Sequence, residues 1–136
     1  MGRAATRIGA GGEFLACAIL AELGWTASPV NADGFDLMVT RGPAMVRVQV
    51  KSTLKVPAGH HCYKWSVSGG NPKRSLTKDD CDIVAAMALD TRRAYFLPVE
   101  SVGKQLSLAL SARKIAAPNF EKETWEAALR ATSQKT

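Results

Sequence analysis

The sequence contains no apolar run that approaches the roughly 20 residues needed to cross a membrane as a helix. It also has no internal repeat and no low-complexity segment. Cysteine is scarce, and no two of Cys17, Cys62 and Cys81 have the short spacing of a metal-binding knuckle. We therefore expect reduced thiols in a cytoplasmic protein that has no membrane partner.

The chain length of 136 residues suits one domain of ordinary size, and we expect a single domain over 1–136. Hydrophobic residues make up 46% and charged residues 22%, so the chain can bury a core. Basic residues outnumber acidic ones by 18 to 12, which gives a net charge of +6. In so small a chain this balance favours a polyanionic partner, most often nucleic acid.

Hydrophobic spacing divides the chain into the elements of an α/β protein. Apolar residues recur at helical spacing in "GEFLACAILAELGW", and its Gly24 is a natural helix end. The continuous apolar runs "DIVAAMALD" and "AYFLPVE" predict two central strands. The remaining expected elements are a short strand in "WTASPV", a strand at 63–67, a helical turn at "LTKDD" and a helix around 124–131. This order predicts a mixed β-sheet flanked by helices.

Between these elements, "FDLMVT" and "AMVRVQVKS" form the strongest hairpin candidate, because apolar and polar residues alternate on both sides of the turn "RGPA". Antiparallel partners share a face of the sheet, so the apolar faces of the two strands should coincide. Pairing Leu37 with Val48 and Val39 with Val46 meets this condition.

The same register gathers polar side chains at one end of the hairpin. It places Asp36 opposite Gln49, and Lys51 follows two residues later on the same face. Taken singly, Asp36 suits a turn beside a strand, and Gln49 and Lys51 suit a solvated face. Because the register was fixed from apolar residues alone, the convergence of all three favours a functional site.

A further acidic residue, Glu13, heads the apolar stripe of the first helix. Ala16, Cys17 and Leu20 follow it on the same side, and this side should face the sheet. A carboxylate near a helix N-terminus is also favoured by the helix dipole, which gives Glu13 a structural alternative.

Carboxylate and amide oxygens are suitable ligands for Mg²⁺, which binds few protein groups and keeps several waters. The metal can polarise a phosphodiester and activate water, while a nearby lysine stabilises the developing charge. An acid, an amide and a lysine at this spacing therefore indicate phosphodiester hydrolysis.

Asp36 followed by Gln49-Val50-Lys51 resembles the PD-(D/E)xK nuclease signature, in a variant with glutamine at the second acidic position. The helix with Glu13 and the strands that follow resemble the α-β-β-β-α-β, restriction-endonuclease-like core of that superfamily over residues 12–99. The phrases "VRVQVKST" and "DDCDIVAAMALD" are similar to a small-nuclease group related to homing endonucleases and, more distantly, Holliday-junction resolvases.

The resemblance implies a role for each matching residue. Asp36 and Gln49 would bind Mg²⁺, for which Mn²⁺ is a possible substitute, and Val50 would add its backbone carbonyl. Lys51 would stabilise charge or position water. Glu13 would be an accessory acid that holds a water on the metal. Gln49 carries no charge, which should weaken metal binding.

Several polar and basic residues near this motif suit contacts with DNA phosphates as a set, although ordinary solvated charge is the better explanation for any one of them alone. These candidates are Ser52, Thr53, Lys55, Lys64, Lys73, Arg74 and Lys78. His60 and His61 fit either a simple loop or phosphate contacts. Trp65 is expected in the core, and Asp82 is expected to be a structural cap, with a distal residue of the site as the alternative.

The sequence thus predicts a Mg²⁺-dependent DNA endonuclease acting on duplex or branched DNA. One cleft per chain favours a homodimer or higher homo-oligomer for cutting both strands. The alternative is a nucleic-acid-binding module that keeps the nuclease-like fold and has lost catalysis, as the neutral Gln49 suggests.

Overall fold

A computed structural model of the chain describes residues 3–69 and 74–133. The elements follow the order α1 (Arg3–Glu22), β1 (Thr26–Pro29), β2 (Leu37–Arg41), β3 (Ala44–Thr53), β4 (Cys62–Ser66), β5 (Ser68–Gly69), β6 (Arg74–Ser75), β7 (Ile83–Ala88), β8 (Arg93–Pro98), α2 (Val99–Val102), β9 (Ser107–Ser111), α3 (Ala112–Ile115) and α4 (Phe120–Ser133). Five strands form a mixed sheet in the order β1-β2-β3-β7-β8. The expected α/β class with a mixed sheet flanked by helices is confirmed.

The β2–β3 hairpin has the predicted register. Leu37 pairs with Val48, and Val39 pairs with Val46. All four side chains are buried, because they form the apolar face of both strands. On its other edge β3 pairs in parallel with β7, whose residues are all buried. The strand that carries Gln49 and Lys51 is therefore the centre of the sheet.

Each face of the sheet is covered by a different layer. The helices α1 and α4 pack on one face around a core that includes Leu20, Phe96 and Trp125. A two-stranded ribbon of β4 and β9, with α2 and α3, covers the other face around Tyr63 and Trp65. Trp65 is buried and its indole N–H donates to the Met87 carbonyl at 2.9 Å, which confirms its place in the core.

Some elements differ from the sequence-based expectation. The segment "LTKDD" forms the expected single turn but no longer helix, and the Asp80 and Cys81 N–H groups both donate to the Thr77 carbonyl, at 2.9 and 3.3 Å. Strand β9 was not predicted, although Leu108 and Leu110 alternate with small residues. Helix α4 extends beyond the expected 124–131 at both ends. In the described residues, no helix is both long and apolar enough to span a membrane.

Helix α1 approaches β3 most closely at Gly12. A Cβ atom at this position would lie 1.7 Å from the Ser52 Oγ and 2.9 Å from the Ser52 Cβ. Only glycine therefore allows the helix to lie this close to the strand. A Cβ at Gly9, one turn earlier, would meet no atom of another element within 4 Å in the described part of the chain, so this position provides a matched comparison.

We expect Gly12→Ala to destabilise the protein by roughly 1–3 kcal/mol, because the helix must move away from β3. Gly9→Ala should instead stabilise it by about 0.5–1 kcal/mol through better helix propensity. Urea unfolding measures both. Adding Ser52→Gly to the Gly12→Ala variant should recover part of the loss. Equal stability of the two alanine variants would contradict the close packing.

Candidate active site

The Asp36 carboxylate is fixed at the edge of β3 where β2 stops pairing. The Asp36 N–H donates to the Val48 carbonyl at 2.9 Å, and its Oδ2 accepts from the Val50 N–H at 2.8 Å. In the described part of the chain, β2 pairs with β3 only as far as Val48. The N–H and C=O of one strand residue point to the same side. The Val50 carbonyl therefore faces the same edge as Asp36.

Gln49 and Lys51 lie on the face of β3 that is opposite α1, because Val48 and Val50 occupy the helix side. The Lys51 Nζ donates to the Ser68 carbonyl at 2.9 Å. Ser68 itself is buried and belongs to β5. The ammonium group is thus held in place by backbone from the layer that covers this face.

Glu13 reaches the same region from α1. The helix begins at Arg3, so Glu13 lies near its middle, and the dipole effect acts only in the first turn. The helix-dipole alternative for Glu13 is therefore wrong. A surface cleft of about 450 Å³ is lined by Glu13, Asp36, Gln49, Val50 and Lys51 together.

Burial dominates the electrostatics of the two carboxylates. It raises the pKa of Asp36, and the Val50 N–H and Lys51 offset part of this rise. Burial also raises the pKa of Glu13, and the nearby charge of Asp36 raises it further. Each carboxylate is thus less stable as an anion than in water, and a cation in the cleft would relieve this cost.

Gln49 and the backbone carbonyl of Val50 supply neutral oxygens beside the two acidic side chains. A hard divalent cation with several waters prefers such an all-oxygen set. No group of three or more His, Cys, Asp or Glu side chains is placed to hold a metal among residues 3–69 and 74–133. The binding of a divalent cation in this cleft would therefore depend on two carboxylates, one amide and one backbone carbonyl.

The expected DNA-binding residues have different surroundings. Ser52 and Thr53 both line the cleft, and the Ser52 Oγ is buried under α1 with no hydrogen-bond partner among the described residues. The side chains of Lys55, Lys64 and Lys78 are exposed. Lys73 lies outside the described residues.

Arg74 has a structural partner that the sequence did not reveal. Its guanidinium forms two hydrogen bonds with the Asp80 carboxylate, at 2.7 and 2.8 Å. This pairing and the Thr77 N–H lower the pKa of Asp80 to about 2. Arg74 thus holds the turn before β7.

Asp82 has a comparable role at the start of β7. It accepts from both the backbone N–H and the side chain of Arg47, so it connects this turn to β3. Asp82 therefore bonds to a neighbouring strand, whereas the expected cap would act only on its own strand.

Sequence reasoning missed other residues that shape the cleft. Ser66 and Leu54 line it, and the Ser68 carbonyl fixes Lys51. No motif marks these residues, because they reach the cleft only when β4 and β5 pack over the sheet.

Comparison with known proteins gives matches of two different kinds. The profile of the PD-(D/E)XK endonuclease family matches residues 5–128. A solved structure of a bacterial homing endonuclease, I-Ssp6803I, is similar with a TM-score of 0.72 and 17% sequence identity, and 96% of each chain is covered. At this identity the likeness concerns the fold. A search of curated proteins found no significant match.

The raised pKa values predict how pH affects stability. A carboxyl group whose pKa is higher in the folded state favours folding while protonated, and this advantage is lost as pH rises through the folded pKa. Glu13→Gln should therefore raise the Tm at pH 7 without metal. This difference should vanish below the ordinary glutamate pKa of 4.5. Thermal unfolding across pH measures the effect.

Glu126→Gln on the exposed side of α4 provides the control, and it should show no such gain at pH 7. A Glu13→Gln variant that melts below the wild type at neutral pH would mean that Glu13 has a stabilising partner, contrary to this interpretation.

Proposed function

The chain belongs to the PD-(D/E)XK endonuclease family, and we propose that it is a metal-dependent endonuclease that hydrolyses phosphodiester bonds in duplex or branched DNA. The observation that carries this proposal is the hydrogen bond from the Val50 N–H to the Asp36 Oδ2. It sets an acid beside Gln49 and Lys51 in the cleft that Glu13 also lines.

Mg²⁺ is the cation that best fits this cleft, with Mn²⁺ as a substitute, since every available donor is an oxygen. Asp36, Gln49 and the Val50 carbonyl would hold the ion, with Glu13 beside it. When bound, the ion would polarise the scissile phosphodiester and increase the acidity of water. Family membership supports this proposal, because PD-(D/E)XK nucleases generally use divalent metals.

Lys51 is the group suited to stabilise the charge that develops on the phosphate. The Ser68 carbonyl fixes its Nζ before substrate arrives, so little reorganisation is needed during the reaction. Glu13, with its raised pKa, is suited to hold the attacking water and to accept its proton.

Cleavage assays with plasmid, linear duplex, single-stranded and four-way-junction DNA in Mg²⁺, Mn²⁺ or EDTA test this function. We expect cutting in either metal and none in EDTA. Lys51→Ala should slow cutting by at least about 100-fold, because charge stabilisation is lost. Its affinity for DNA should stay within about tenfold of the wild type, since a single phosphate contact contributes little.

Lys122→Ala, on the exposed side of α4, removes the same charge at another place and should cut normally. Normal cutting by Lys51→Ala would contradict the role of Lys51. Tight binding of DNA without cutting of any substrate in either metal would contradict the proposal that the protein is an enzyme.

The neutral Gln49 favours a second candidate, a nucleic-acid-binding module without activity. Only two carboxylates line the cleft among the residues that the structure describes. Gln49→Glu separates the candidates, because a third negative charge should lower the Mg²⁺ concentration for half-maximal cutting. If the wild type does not cut and Gln49→Glu does, the natural protein is the binding module. An unchanged Mg²⁺ dependence would mean that residue 49 is not a ligand.

The cleft provides one set of catalytic residues per chain. Cutting both strands of a duplex in one event requires two sets, which supports a homodimer or higher homo-oligomer. We place this activity in the cytoplasm, where the three free cysteines would stay reduced.

A further inference from the structure

Basic and acidic residues are strongly segregated along the chain. Segments 37–78 and 101–120 contain eleven Lys or Arg residues and no Asp or Glu. The rest of the chain contains seven basic and twelve acidic residues. The net charge of +6 therefore combines +11 on these two segments with −5 elsewhere.

The fold brings the two acid-free segments together. Strand β4 lies in the first and β9 in the second, and they pair as the ribbon that covers one face of the sheet. Two basic residues of the first segment are paired with acidic residues outside it, Arg74 with Asp80 and Arg47 with Asp82. The ribbon, its adjoining loops and α3 carry exposed positive charges, which include Lys55, Lys64, Lys104, Arg113 and Lys114.

The outer surface of this ribbon consists mostly of small side chains around one basic residue. Tyr63 and Trp65 point inward to the core, so their neighbours in β4 point outward. The outward positions are Cys62, Lys64 and Ser66 in β4, paired with Ser111, Ala109 and Ser107 in β9. Small hydroxyl side chains around one lysine allow a polyanion to approach closely and donate hydrogen bonds to it.

One end of this surface is a basic pocket, and the other end is the catalytic cleft. His60, His61 and Arg113 line a pocket of about 500 Å³ where β4 begins and β9 ends. Ser66, at the opposite end of β4, lines the cleft. Five strand residues span about 13 Å, which matches the rise of roughly four base pairs along the axis of a DNA duplex.

We propose that the outer face of the β4–β9 ribbon is a track for the DNA sugar-phosphate backbone, running from the cleft to a phosphate-binding pocket of His60, His61 and Arg113. This inference rests on the proposed function, because it assumes that DNA is the substrate. The contacts are to phosphates, so the track binds DNA without reading its sequence.

Fluorescence anisotropy with a labelled duplex, without Mg²⁺ or Mn²⁺, tests the track. Lys64→Glu on the ribbon and Arg113→Glu in the pocket should each weaken binding by at least about tenfold at moderate salt. Each should also reduce the slope of log Kd against log salt by about one. Arg130→Glu on α4 makes the same change in net charge on the opposite face, and its affinity should stay within about twofold of the wild type. Circular dichroism and Tm establish that each variant is folded.

Equal weakening by Arg130→Glu would show that only net charge matters and would overturn the track. Normal binding by both ribbon variants would overturn it too, even if the wild type cuts DNA. A wild type that binds through the ribbon but never cuts would contradict the nuclease proposal alone. A wild type that binds no DNA would overturn both.

Discussion

The hydrogen bond from the Val50 N–H to the Asp36 carboxylate is the interaction on which the candidate site depends. Beyond Val48, the edge of β3 has no β2 partner among the described residues. The Asp36 carboxylate accepts there the hydrogen bond that a neighbouring strand would otherwise accept. The carboxylate satisfies a backbone donor and is held beside the Val50 carbonyl. One contact thus ends the β2–β3 ladder and creates a cleft with fixed oxygen atoms.

Packing decides whether the other groups can reach this edge. Gly12 lets α1 lie against Ser52, and Glu13, the next residue, consequently lies beside Asp36 at the cleft. On the opposite face, the ribbon brings the Ser68 carbonyl to Lys51. The site therefore depends on two layers that pack independently on one strand.

The parts that followed from the sequence are those set by local alternation. Apolar residues determined the β2–β3 register, and that register alone was enough to predict Asp36 near Gln49 and Lys51. The rest depends on tertiary contacts. The pairing of β4 with β9 joins segments about forty residues apart, and nothing local indicates which strand β9 meets. Likewise, Arg74 is basic in the sequence, but its role follows from the fold of the turn that contains Asp80.

Glutamine at position 49 is physically consistent with the charges around it. Asp36 and Glu13 already have raised pKa values, because they are partly buried and Asp36 also raises the pKa of Glu13. A third carboxylate would add repulsion in the metal-free protein, whereas an amide keeps an oxygen donor at no electrostatic cost. The consequence is weaker attraction for a divalent cation. In the proposed function, the positive charges of Lys51 and the ribbon would attract the phosphate, so the cation and the substrate together would offset the charges of the cleft.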